Sequence, residues 1–154
     1  MERTFVMLKP DAVSRGILGK IVSRLEDKGL VLAGCKMMRL DDAILDKHYS
    51  HLKDKPFFAG IKSFMKSGPV IAMVWQGKEA VNVVRSLCGV TNSREAAPGT
   101  IRGDYALSIQ CNVIHASDSV ETAEREIPMY FSNNELFDYK RADNEFLYSS
   151  DEKK

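Results

Sequence analysis

A histidine close to a helix start is the residue with the clearest chemical potential in this chain. His115 ends a segment of strand-like alternation, and Ser117 and Asp118 follow it before an amphipathic stretch. A helix start offers free amide N–H groups and the positive end of the helix dipole, so it stabilises anions. An imidazole there could attack a phosphate as a nucleophile. A structural histidine that binds a backbone carbonyl is equally compatible with the pattern.

Other polar residues could join His115 around a phosphate. Asn112 lies three positions earlier, and strict alternation would send the two side chains to opposite faces of a strand, so joint action requires irregular backbone between them. Lys9, at the end of an apolar run, could meet a phosphate as a point charge. Further candidate phosphate ligands lie in or beside a long loop: Arg85, Thr91 and Arg102. Taken singly, each of these is more typical of a surface side chain.

Acidic and aromatic residues leave further alternatives open. Glu124 and Glu126 both lie on the last long helix, and periodicity does not decide which of them reaches His115. Of Phe57 and Phe58, we expect one to stack on a base and the other to fill the core.

Two familiar types of site are not expected. His48 and His51 are three residues apart on one helix, but no third ligand is apparent, so we do not predict a metal there. The chain also has no Walker-type loop and no GxGxxG motif. Any phosphate must therefore be held by side chains and a helix start.

Four strands must position these residues. Apolar runs and alternation predict them over residues 4–8, 30–40, 70–75 and 105–115. Between them, helical periodicity predicts a helix over 17–25, one capped by Asp41, one that begins near Asp54 with Pro56 in its first turn, and one ended by Gly89. Residues 89–104 show no periodicity and are predicted to form a functional loop.

The last long helix is expected to begin after Asp118, with Glu121 completing a capping box. The order of elements fits an α+β fold, and the ferredoxin-like βαββαβ sandwich, a four-stranded antiparallel sheet covered by helices, accommodates it best. The chain length of 154 residues suggests one domain over 1–154, with residues 149–154 as a flexible tail.

Composition excludes several functional classes. A formal net charge of +1 does not support a polyanion binder on bulk charge alone. No apolar run approaches the roughly 18 residues needed for a membrane span. The first residues enter a strand-like run without a signal or transit peptide, and Cys35, Cys88 and Cys111 resemble reduced core thiols. We therefore expect a cytoplasmic protein that does not enter the membrane.

Taken together, these segments resemble the nucleoside diphosphate kinase family. The family signature Asn-x-x-His-(Gly or Ala)-Ser-Asp stands here at residues 112–118 as Asn-Val-Ile-His-Ala-Ser-Asp. Other family segments stand in order at residues 3–5, 9–11, 48–49, 55–58, 67–70, 98–104 and 119–121. The resemblance covers residues 2 to about 148 without evident gaps, and so many motifs in register are highly specific.

The resemblance implies transfer of the γ-phosphoryl group of a nucleoside triphosphate, typically ATP, to a nucleoside diphosphate by a ping-pong route. It makes His115 the nucleophile that becomes phosphohistidine, oriented by Glu126, which Ser117 would hydrogen-bond. Lys9 and Tyr49 match residues near the transferred phosphoryl group and the sugar hydroxyl. The matched nucleotide ligands comprise Phe57 on the base, Asn112 on the ribose 3′-hydroxyl, and Arg85, Thr91 and Arg102 on the phosphates.

The resemblance also implies a cofactor and an assembly. Mg²⁺ would enter with the nucleotide, bridging its phosphates, and not through protein side chains. The family forms homo-oligomers, and a long C-terminal segment is similar to that of the hexameric members. Nucleic acid is not required. Three departures stand out: Ala116 where glycine is more usual, Ser93 where proline is usual, and the extension Asp151–Lys154.

Three other interpretations compete with the kinase. A non-enzymatic member that binds nucleic acid or protein would often lack the histidine or a phosphate ligand, whereas the matched set here is complete. An RNA-binding module would need an RNP1-like aromatic segment, which the sequence does not have. A phosphocarrier would pass its phosphoryl group to a protein, and only chemistry with a nucleoside diphosphate distinguishes it.

Overall fold

A four-stranded antiparallel sheet forms the centre of the molecule. The computed structural model describes residues 1–152, and its strands are β1 (Glu2–Leu8), β2 (Val31–Met38), β3 (Val70–Gly77) and β4 (Ile114–Ala116). Their order in the sheet is β2-β3-β1-β4. With helices between the strands, this is the βαββαβ arrangement, so the predicted fold class is confirmed.

The helices connect the strands and cover the sheet. They are α1 (Pro10–Ser14), α2 (Leu18–Asp27), α3 (Asp42–His48), α4 (Phe58–Lys66), α5 (Ala80–Cys88), α6 (Ile101–Tyr105), α7 (Val120–Tyr130) and α8 (Asn144–Leu147). Two short 3₁₀ turns lie at Ser50–Leu52 and Asn133–Glu135. Within residues 1–152, no helix is both long enough and apolar enough to cross a membrane.

Alternation along β1 divides the apolar core into two layers. Val6 and Leu8 lie in the layer that also holds residues of α2 and α5, whereas Phe5 and Met7 lie in the layer that holds residues of α3, α4 and α7. Every residue of β1 from Thr4 to Leu8 is fully buried. Because the central strand is covered on both faces, its sequence is a continuous apolar run.

The predicted strand over residues 105–115 is wrong for most of its length. Tyr105 ends α6, the next residues are irregular, and only Ile114–Ala116 pair with β1. The alternating side chains Leu107 and Ile109 are 81% and 54% exposed. Alternation here reflects exposed apolar side chains and not a half-buried strand.

Several predicted boundaries also differ from the structure. Asp41 caps α3 as expected, its side chain accepting from the Ile44 amide. The next helix begins at Phe58 and not near Asp54, so Pro56 lies outside it. Ser119 and not Asp118 caps α7, because the Ser119 hydroxyl accepts from the Thr122 amide.

The loop and the cysteines need further corrections, whereas the flexibility of the C-terminal tail stays a prediction. The predicted loop over 89–104 is shorter, because α6 begins at Ile101. All three cysteines are free, but only Cys88 is buried, whereas Cys35 and Cys111 are exposed. In the predicted tail, Ser149 and Glu152 close a turn by hydrogen bonds. Lys153 and Lys154 lie outside the described residues.

Candidate active site

His115 lies at the centre of β4, opposite Met7 of β1. Its Nε2 is 3.1 Å from both carboxylate oxygens of Glu126 on α7. Within residues 1–152, its Nδ1 has no hydrogen-bond partner. About a fifth of the side chain is exposed, and the ring lines a cavity of about 340 Å³. The strand thus presents one ring nitrogen to a carboxylate and leaves the other available.

Glu126 is the carboxylate that periodicity alone could not choose. It is buried, whereas Glu124 on the same helix is exposed. The Ser117 hydroxyl donates to Glu126 Oε2 at 2.6 Å. Burial by itself would raise the pKa of Glu126, but the hydrogen bond and charge of His115, with His48 and Ser117, lower this pKa below its usual value. Glu126 is therefore ionised at neutral pH and able to orient an imidazole.

A backbone irregularity brings Asn112 to the same cavity as His115. Val113, between them, has a φ of 63°, and the Ile114 amide donates to the Asn112 carbonyl at 2.8 Å. This three-residue turn breaks the alternation, as joint action of the two residues requires. A β-branched residue in the left-handed region is strained, and such strain is common at functional sites. The Asp11 carboxylate stabilises the turn by accepting from the Val113 amide at 3.1 Å.

Lys9 joins Asn112 at the end of β1. Its ammonium group donates to Asn112 Oδ1 at 2.7 Å, while Asn112 Nδ2 donates to the Thr91 carbonyl at 3.1 Å. Burial, reinforced by the charge of Arg102, lowers the pKa of Lys9 to about 8. A bound anion would counter the repulsion from Arg102 and raise this pKa again.

Arg102 supports the basic wall of the cavity. It is 3% exposed and donates to the Gly89 and Ile114 carbonyls at 2.8 and 2.7 Å. Its guanidinium group therefore ties the loop after α5 to β4. Arg85 and Thr91 line the same cavity. Together with Lys9, these residues create a positive surface beside His115 that can bind a polyphosphate.

A second cavity adjoins the first and is more apolar. It measures about 600 Å³, is lined in part by Phe57, Ile61 and Phe64, and shares Lys9, Tyr49, Thr91 and Asn112 with the first cavity. Phe57 is 53% exposed, whereas Phe58 is buried, so Phe57 is the member of the pair whose ring is available at this cavity. An exposed ring at the mouth of an apolar cleft can stack on a base.

The ten predicted site residues are therefore brought together. Nine of them line one or both cavities, and Ser117 lies behind Glu126. Burial, followed by the charge of Glu126, raises the pKa of Tyr49 to about 12, so its hydroxyl stays protonated. Ala116 has no positive φ, so glycine is not required at that position. Ser93 is buried, and its hydroxyl has no hydrogen-bond partner within the described residues.

Sequence reasoning missed the surroundings of His48. This residue is buried, its Nδ1 lies 2.9 Å from the Tyr130 hydroxyl, and its ring packs edge-on against His115 at 4.5 Å between centroids. His51 is exposed at the rim of the same cavity. The partners of His48 come from α7 and β4, so no local spacing could have revealed them.

Comparison with known proteins decides the family. The family model described as "Nucleoside diphosphate kinase" matches residues 2–136. The chain belongs to the nucleoside diphosphate kinase family. A nucleoside diphosphate kinase from Parabacteroides distasonis is 56% identical over 152 residues, which cover 99% of each chain. One from Archaeoglobus fulgidus is 50% identical, over 96% of this chain and 98% of that one.

A solved nucleoside diphosphate kinase has the same fold. The Halobacterium salinarum enzyme, whose structure holds CDP, matches with a TM-score of 0.94 and 51% identity, over 96% of this chain and 99% of its own. The predicted family, its phosphotransferase activity and its action on nucleotides are thereby confirmed.

Proposed function

We propose that the γ-phosphoryl group passes from a nucleoside triphosphate to a nucleoside diphosphate through Nδ1 of His115. The observation that carries this assignment is the hydrogen bond between His115 Nε2 and the buried Glu126 carboxylate. With its proton on Nε2, the ring holds a lone pair on Nδ1 toward the cavity. Nδ1 attacks the γ-phosphorus, the bond to the β–γ bridging oxygen breaks, and the nucleoside diphosphate leaves.

The second half of the cycle reverses the first. The acceptor's terminal phosphate oxygen attacks the phosphohistidine, and the P–N bond returns its electron pair to Nδ1. Glu126 stabilises the positive charge that the ring gains in each half, and Ser117 holds Glu126 in place. Phosphoryl transfer depends mainly on such positioning and charge stabilisation.

The remaining residues bind and orient the nucleotide. Lys9, Arg85, Thr91 and Arg102 hold the phosphates, Asn112 and Tyr49 bind the sugar hydroxyl and the region of the transferred group, and Phe57 stacks on the base. Stacking on a ring tolerates any base, which fits a kinase that accepts several nucleotides.

Mg²⁺ would be held by the phosphates of the nucleotide. Mg²⁺ prefers oxygen ligands and usually binds with substrate phosphates, and the cavity wall near His115 is basic rather than an acidic cage. When bound, the ion neutralises phosphate charge.

Assembly and location complete the proposal. The chain works as a homohexamer, and the exposed apolar side chains Leu107 and Phe137 support association. Three free thiols, two of them exposed, fit the reducing environment of the cytoplasm. Nucleic acid is not needed for activity. Fractionation of the source cells with an antibody to the chain tests the location.

Intact mass spectrometry tests the chemistry directly. After incubation with ATP and Mg²⁺, the chain should carry one acid-labile phosphoryl group, which is absent in His115→Ala and is transferred to added GDP as GTP. An unmodified chain would leave a nucleotide-binding protein without this chemistry. A phosphoryl group that ignores GDP would indicate a phosphocarrier.

A further inference from the structure

A buried histidine nitrogen beside the active site has no hydrogen-bond partner. The side chain of His48 is 1% exposed, and its Nε2 lies 3.6 Å from Glu126 Oε1, beyond hydrogen-bond distance. Its other nitrogen, Nδ1, is occupied by the Tyr130 hydroxyl at 2.9 Å. Buried polar atoms are nearly always satisfied, so a nitrogen left open in this direction needs an explanation.

Three side chains converge on the space that this nitrogen faces. His48, His115 and Glu126 each offer one ligand atom, and these atoms lie within 4.8 Å of one another. In tetrahedral zinc sites, ligand atoms about 2.0–2.2 Å from the metal are about 3.3 Å apart. The Glu126 oxygens lie 3.1 Å from His115 Nε2 and, through Oε1, 3.6 Å from His48 Nε2, so both separations that involve the carboxylate are already close to this value. The two imidazoles are within 4.8 Å of each other at their ligand atoms, so they would move together by up to about 1.5 Å to bind one ion.

The ligand types select the kind of ion. Two imidazoles and one carboxylate suit Zn²⁺ and related transition ions, and they form a common three-ligand zinc set with a fourth position open. Mg²⁺ prefers oxygen ligands, so this cluster is distinct from the nucleotide-bound ion.

The outer contacts resemble those of zinc ligands. A metal-bound histidine usually donates its second N–H to a neighbouring oxygen, and Tyr130 is placed to accept from His48 Nδ1. The Ser117 hydroxyl likewise fixes Glu126 at 2.6 Å. The partly exposed face of His115 opens to the nucleotide cavity, which leaves a route for the ion and a place for a fourth ligand.

We propose that His48, His115 and Glu126 form an inhibitory site for Zn²⁺ or a similar divalent transition ion. Coordination through His115 Nε2 displaces the proton of that nitrogen, which moves to Nδ1 without net change. Nδ1 then has no lone pair with which to attack phosphorus, and Glu126 is held by the ion. This inhibition rests on the proposed role of His115, whereas metal binding itself does not.

Metal binding is tested first, without reference to activity. In a Cys35→Ser/Cys111→Ser background, which removes the exposed thiols, the chain is titrated with Zn²⁺ by calorimetry and with Co²⁺ by visible absorption. His48→Gln should weaken binding by roughly 100-fold, since losing a ligand costs at least as much as losing its outer contacts. The matched control, His51→Gln, removes an exposed histidine three residues away and should bind as its parent does.

A measurement on the parent chain avoids dependence on the variants. Long-range ¹H–¹⁵N spectra of the imidazoles should show Zn²⁺ shifting the Nε2 signals of His48 and His115 and leaving His51 unchanged. Shifts confined to His51, or equal metal affinity in His48→Gln and its parent, would overturn the site.

Inhibition is measured last, at a free Zn²⁺ concentration buffered against chelation by ATP. Zn²⁺ should slow phosphohistidine formation, and a chelator should restore the rate. In His48→Gln, Zn²⁺ should reduce the rate by a smaller factor than in the parent chain, each compared with its own rate without zinc. Zinc-dependent shifts in a chain that never forms phosphohistidine would refute the proposed function and keep the metal site. If phosphohistidine forms but Zn²⁺ leaves the imidazole spectra unchanged, the metal site is refuted and the proposed function stands.

Discussion

The two ring nitrogens of His115 have different surroundings, and the difference lies in one neighbour. Nε2 faces the Glu126 carboxylate at 3.1 Å, and Nδ1 is left without a partner within the described residues. A carboxylate that fixes the tautomer of a histidine also stabilises the imidazolium-like charge that develops during attack. The nucleophilicity of His115 should therefore depend on the charge of Glu126.

Glu126→Gln removes that charge and keeps the size of the side chain. We expect phosphohistidine formation to slow by roughly 100-fold, the lower end of what a proton-handling partner contributes. Rapid-quench kinetics with ATP would measure the rate. Glu124→Gln, an exposed position on the same helix, is the control and should react at the parent rate. Equal rates in both variants would contradict the assignment of Glu126.

The buried charge of Lys9 lowers the stability of the folded chain. Its pKa in the folded chain is about 8, against 10.5 for an ordinary lysine, mainly because of burial. Between pH 8 and pH 10.5, the Lys9 amine is mostly protonated in the unfolded chain and mostly neutral in the folded chain. The destabilisation is therefore fully present below pH 8 and disappears as the pH rises toward 10.5.

Lys9→Met should consequently stabilise the folded chain at pH 7 while impairing catalysis. The lowered pKa corresponds to at most about 3 kcal/mol, and we expect a gain of about 1–2 kcal/mol after loss of the bond to Asn112. Urea denaturation at pH 7 and pH 10 would measure the gain, which should shrink at the higher pH. The exposed control Lys20→Met should show neither effect, and a less stable Lys9→Met would refute the argument.

At the scale of elements, the start of α7 controls how Glu126 is presented. The Ser119 hydroxyl accepts from the Thr122 amide at 3.1 Å, whereas Asp118 is exposed and makes no cap. Ser119→Ala should lower the free energy of unfolding by about 1 kcal/mol, the usual value of such a cap. Asp118→Ala should leave it nearly unchanged. Chemical denaturation of the two variants checks this, and a larger loss in Asp118→Ala would restore the sequence-based assignment.

Elements whose local pattern matched their burial could be predicted from the sequence. The continuous apolar run at 70–75 is a strand covered on both faces, and Asp41 caps its helix as expected. Residues 105–115 could not be predicted in this way. Leu107 and Ile109 alternate as in a strand but are exposed, and only pairing with β1 determines where β4 begins.

The site shows the same division between local and distant information. The resemblance supplied Glu126, but periodicity treated it and Glu124 alike, because the two lie on opposite flanks of the apolar stripe of the helix and the sequence does not show which flank faces His115. Joint action of Asn112 and His115 required irregular backbone between them, but nothing in the local sequence predicts a φ of 63° at Val113. His48 was missed because its neighbours, Glu126 and Tyr130, are about eighty residues away.

At the scale of the whole molecule, exposed apolar side chains occur in two separate stretches of the chain. Met37 on edge strand β2 is 60% exposed, and Phe137, whose amide donates to Ala33 of β2, is 64% exposed. Leu107 and Ile109 precede the opposite edge strand, β4. Apolar side chains exposed in separate parts of the chain are available for more than one kind of subunit contact.

For the homohexamer proposed above, we expect six chains in solution, with both of these stretches necessary for the complete assembly. Met37→Glu and Leu107→Glu should each give a smaller species, because a charge buried in an apolar contact is costly unless paired. Sedimentation velocity on the full chain would measure the species, with Lys20→Glu as an exposed charged control that should stay hexameric. A parent that sediments as a monomer would refute the hexamer. If Met37→Glu still sediments as a hexamer, the β2 edge is not a subunit contact.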